Sequence, residues 1–172
     1  MPKKWDDMTP AERRVALAKD VIKQIHAKKI EVRAGWGFVA PKYDAWGSFY
    51  DLPNDIEHEE VISKDDVNVM KKDCYVCAMG ALFLSRVDKF NKITWGDLNC
   101  KKPDHDSIVK ALRGSFSRRQ LVMIENAFER YDGDGCEFGD ALDDEDDRLL
   151  AIMQNIVDHD GTFEPKVAYV VS

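Results

Sequence analysis

At 172 residues, 44% hydrophobic and 33% charged, the chain is long enough for one domain with a sizeable core and too apolar to be a disordered polymer. No apolar run reaches the roughly 20 residues of a membrane-spanning helix, which excludes that class of membrane protein. The net charge of −7 is local: nine acids and no Lys or Arg lie between Asp132 and Asp147, and without them the balance becomes +2.

The opening Met1-Pro2-Lys3-Lys4-Trp5 carries no apolar signal stretch, so the reading is an intracellular protein with reduced cysteines. A first helix is announced by Thr9-Pro10-Ala11-Glu12, a cap, a proline at the first helical position and a Glu three residues after the cap. Val15, Ala18, Ile22 and Ile25, with Leu17 and Val21 beside them, give that helix an apolar stripe. Residues 30–50 alternate and then mix glycines with Trp36, Phe38, Tyr43, Trp46 and Phe49, which predicts a small β hairpin or strand element. Ser63–Lys72 reads as a short helix with Asp65 and Asp66 at its positive end.

The segment from Cys74 to about Phe90 is apolar around most of its circumference and is predicted to be the central helix, with Asp73 as its cap. Further helices are expected from His105 to Leu112, ended by Gly114, from the capping box Ser117-x-x-Gln120, and from about Asp144 to Val157, stopped by Gly161. The tail Val167–Val171 has strand composition and could pair near residues 30–39. The expected fold is mainly α within an α+β class: a single domain over 1–172, with five or six helices around the 74–90 helix and a small β element.

Chemistry is sparsest where it would be easiest to recognise. Cys74-x-x-Cys77 at a helix start could lower a thiol pKa, with His105 as the base of a catalytic dyad. Alternatively the pair could join Cys100 and His105, or Cys136, in a tetrahedral zinc site. The simplest account is that both cysteines are small apolar residues in a close-packed helix, beside Gly80 and Ala81. No metal and no cofactor are expected. The loop from Asp132 fails as a calcium loop, because its fifth, sixth and twelfth positions are Cys136, Glu137 and Asp143. It reads as a solvated acidic loop. Asp143, Asp144, Glu145, Asp146 and Asp147 suit a helix N-terminus, and they can also dock on a basic partner surface. Trp36 and Trp46 are the candidate anchors of a second contact surface. Isolated pairs such as Arg118-Arg119 do not make a nucleic-acid groove, so nucleic-acid binding is not expected.

The combination Cys74-Tyr75-Val76-Cys77-Ala78-Met79-Gly80-Ala81-Leu82-Phe83, then Phe116-Ser117 with Gln120-Leu121 and Ile124-Glu125, then Arg148–Ile156, resembles small phage and mobile-element proteins. That group has no established activity, so the resemblance implies a context and no catalytic set. The context is an accessory protein in a bacterial cytoplasm. The resulting expectation is a non-enzymatic interaction protein acting on a host or defence factor through residues 132–147 or 36–50, with a host or phage protein as its partner. A thiol-dependent enzyme and a zinc-stabilised domain stand as alternatives.

Overall fold

A computed structural model describes residues 1–34, 39–41, 61–90, 93, 105–129 and 144–164. After a 3-10 turn (Trp5–Asp7), the elements are α1 (Pro10–His26), β1 (Glu31–Val32), β2 (Val39–Pro41), α2 (Lys64–Asp73), β3 (Cys74–Val76), α3 (Ala78–Lys89), α4 (His105–Ala111), α5 (Arg118–Glu129) and α6 (Glu145–Asp158). The class is mainly helical α+β, as the patterning predicts.

The helix starts are set by local chemistry. At α1 the Thr9 hydroxyl accepts from the Glu12 N–H at 3.2 Å, and the Glu12 carboxylate accepts from the Thr9 N–H at 2.7 Å. The same reciprocal pair opens α2 between Ser63 and Asp66 and α5 between Ser117 and Gln120. Asp144 caps α6 by accepting from the Asp147 N–H at 2.9 Å. At the far end of α6 the Gly161 N–H returns to the Ile156 carbonyl at 2.8 Å, with φ +96° at Gly161.

α3 is the centre. Nine of its twelve residues are buried, from Ala78 through Ser85 and Val87, and it packs on α1, α2, α4, α5 and β3. Phe83, Leu82 and Leu84 are among the largest fully buried side chains. The most extensive helix pair is α1 with α6, which joins Leu17, Val21 and Ile25 to the core containing Leu149, Ile152 and Ile156. Because α1 lies between α6 and α3, its buried face centres on Leu17 and Val21, while Val15 and Ile22 are only half-buried.

Two expectations are corrected at the β element. Residues 74–76 are a strand, not the first turn of the central helix, and Asp73 is the last residue of α2 rather than a cap. Tyr75 and Val76 suit extended backbone, and this strand has two partners to satisfy its N–H and C=O groups. The strand element expected within residues 30–50 is present among the described residues as β1 and β2, which flank β3 in the order β1-β3-β2. β1 pairs in parallel, Glu31 with Tyr75 and Val32 with Val76, whereas β2 pairs antiparallel, Val39 with Val76 and Pro41 with Cys74. Trp36, Trp46, Cys100, Cys136, residues 130–143 and the C-terminal 165–172 lie outside the described residues.

A polar seam crosses the helical core. Asp20 on α1 is buried and accepts from the Ser85 hydroxyl of α3 at 2.8 Å, with Lys89 Nζ at 3.7 Å. One turn on, Gln24 accepts from Lys71 of α2 at 3.3 Å, and Lys71 is paired with Asp88 of α3 at 2.7 Å. Three helices are thereby fixed in register by groups that burial would penalise if left unpaired.

Candidate functional site

The strand-to-helix corner between β3 and α3 separates the two cysteines of the Cys-x-x-Cys pair. Cys74 sits in the strand and Cys77 is the N-cap of α3, where its Sγ accepts from the Gly80 N–H at 3.5 Å. Both residues are 0% exposed. Facing this corner is α5, whose apolar stripe of Leu121, Ile124, Ala127 and Phe128 packs inward. Beside the stripe, one turn apart, are Glu125 and Glu129, both half-buried. One Glu125 oxygen accepts from the Met79 N–H at 3.4 Å, so the start of α3 directs two of its orphan N–H groups at a thiol and a carboxylate. Cys77 Sγ and one oxygen each from Glu125 and Glu129 all lie within 4.8 Å of one another.

The electrostatics of this corner follow from burial. Desolvation pushes the Cys77 thiol well above its ordinary value, and the neighbouring Glu125 charge pushes the same way, outweighing the Gly80 N–H. Desolvation also raises Glu125 to about 7, opposed by a hydrogen bond with Cys77 and reinforced by Glu129. A thiol that is buried and held neutral is a poor nucleophile, because the thiolate is the reactive form. His105 opens α4, and its side chain, like Cys100, lies outside the described residues. The sequence pattern missed Glu125 and Glu129. Their available signal was a like-charged i, i+4 pair bordering a buried stripe, an arrangement that is unfavourable on an ordinary helix surface.

A second feature is a charged cleft. A cleft of about 700 Å³ runs between the end of α1, the start of β1 and α2, and is lined by Lys28, Lys29, Lys64, Lys71 and Lys72 together with Asp88 and Asp146. Lys28, Lys29, Lys64 and Lys72 are exposed, while Lys71 is held by Asp88 in the polar seam. Asp146 brings the acidic start of α6 to the rim. There Asp144, Asp146 and Asp147 are exposed, and Glu145 turns back to accept from the Ala34 N–H at 2.6 Å, just after β1. Asp146 is raised by partial desolvation and by Asp144, and lowered by Arg33. The acids of the first helical turn thus have the expected place at the positive end of α6, and three of them also face solvent beside a basic cleft.

No family model, curated protein or solved structure matches the chain. Among the described residues, no helix is long and apolar enough to cross a membrane.

Proposed function

We propose that this is a phage-type accessory protein of the bacterial cytoplasm that works by docking a protein partner of the host or phage, without catalysis of its own. The observation that carries the reading is Asp146: it lines the lysine cleft while belonging to the exposed acidic start of α6. Both signs of charge therefore meet on one concave face, an arrangement that selects a partner with the complementary pattern and fixes its orientation. The burial of Cys74 and Cys77 supports the same reading, since it leaves no exposed thiolate at the only pattern that suggested an enzyme.

The test is affinity capture from bacterial lysate at low salt with the parent protein and two charge-reversed variants. One carries Lys28→Glu with Lys72→Glu, and the other Asp146→Lys with Asp147→Lys. The expected result is a partner retained by the parent, released at high salt and lost from both variants. Capture that is unchanged in both variants, or no retained partner at low salt, overturns the reading.

A further inference from the structure

We propose that Cys77, Glu125 and Glu129 form a binding site for one divalent ion of the zinc class. The argument begins with geometry. A tetrahedral ion with metal–sulfur bonds of about 2.3 Å and metal–oxygen bonds of about 2.0–2.2 Å holds its donor atoms roughly 3.3–3.6 Å apart. The three donors here already lie within 4.8 Å of one another, close to that spacing without a bound ion. The donors come from two packed elements, the capped corner of α3 and one face of α5, rather than from a floppy loop.

The donor chemistry selects the ion. One sulfur with two carboxylates suits Zn²⁺ and its surrogate Co²⁺, whereas Ca²⁺ requires six or more oxygens and Mg²⁺ an octahedron of oxygen and water. The Met79 N–H on Glu125 and the Gly80 N–H on Cys77 hold two of the ligands in place, as outer partners do in metal sites. Binding requires the Cys77 thiolate and ionised carboxylates, so the thiol proton and any carboxyl proton pass to solvent as the ion enters, with no change of oxidation state. Three protein ligands leave the fourth tetrahedral position for water. This site is independent of the charged docking face, and either could exist without the other.

The experiment uses full-length protein stripped with a chelator, kept reduced and titrated with cobalt(II) chloride, then with zinc chloride as competitor. One cobalt per chain is expected, with the intense visible bands of a tetrahedral ion and a near-ultraviolet sulfur-to-cobalt band, all abolished by zinc. Cys77→Ser should remove the sulfur band, and Glu129→Gln, at a half-buried position, should weaken zinc at least tenfold while circular dichroism is unchanged. Failure of cobalt to develop these bands, a sulfur band that persists in Cys77→Ser, or unaltered zinc affinity in Glu129→Gln overturns the site. If Cys77→Ser does not fold, the Glu129→Gln comparison alone decides.

Discussion

Replacing Gly161 with Ala is the sharpest test of how the first and last helices are locked together. Gly161 stops α6 at φ +96°, and a Cβ built there would stand 2.6 Å from the Ala11 carbonyl oxygen and 3.0 Å from Ala11 Cα. The backbone conformation alone costs an alanine about 1–2 kcal/mol. The contact is with main-chain atoms of the first turn of α1, so no side-chain rotation relieves it, and overpacking of this kind adds about 1–3 kcal/mol. The shift needed to relieve it also pulls on the hydrogen bond from Arg14 Nε to the Gly161 carbonyl, now 2.6 Å. Together these give roughly 3–4 kcal/mol of lost stability, or a fall in Tm of about 10 °C for a chain of this size. Urea unfolding followed by circular dichroism measures it directly. Gly114→Ala is the internal comparison: φ is +88°, but the nearest atom to the new Cβ is the flexible Arg13 guanidinium at 3.3 Å, so only the backbone cost of about 1–2 kcal/mol applies. Equal losses in the two variants, or a Gly161→Ala loss below about 0.5 kcal/mol, would refute the clash.

Glu125 gives a pH-dependent prediction for the metal-free protein in chelator. Its folded pKa is raised from 4.5 to about 7, so its favourable contribution is complete below about 4.5 and disappears as pH rises through about 7. By pH 8 the loss amounts to roughly 3 kcal/mol. Glu125→Gln should therefore gain on the parent between pH 4.5 and 8 in urea unfolding, and a parallel pair of curves would contradict the burial argument. In the polar seam, Ser85→Ala removes the 2.8 Å donor to buried Asp20 and is expected to cost about 1–3 kcal/mol. An Asp20→Asn, Ser85→Ala double-mutant cycle should show coupling of at least about 0.5 kcal/mol, and additivity would count against a direct interaction.

What could be read in the sequence was whatever is encoded within one turn of the chain. The caps at Thr9 and Ser117 and the stops at Gly114 and Gly161 are local devices, and each falls where its spacing predicts. The strand at Cys74–Val76 was hidden because its reason for being a strand lies elsewhere, in backbone partners at 31–32 and 39–41. Once those three residues are extended, the Cys-x-x-Cys spacing loses its helical meaning and the cysteines fall on different elements. The glutamates of α5 were invisible for the same kind of reason. Glu125 and Glu129 look like ordinary polar residues until α5 is packed against the corner of α3, and only that packing desolvates them and brings them to Cys77.

The pairing of α1 with α6 has a consequence for how the molecule comes into being. On the ribosome α1 emerges early and α6 last of the described helices, so Leu17, Val21 and Ile25 lack a major part of their final cover through most of synthesis. The α1–α6 contact is long-range in sequence, and the Arg14–Gly161 hydrogen bond ties its two ends together. A nascent chain halted before residue 145 would carry an uncovered apolar strip on its first helix. Such a chain is the species in which chaperone capture and aggregation compete, and release of α6 ends that competition.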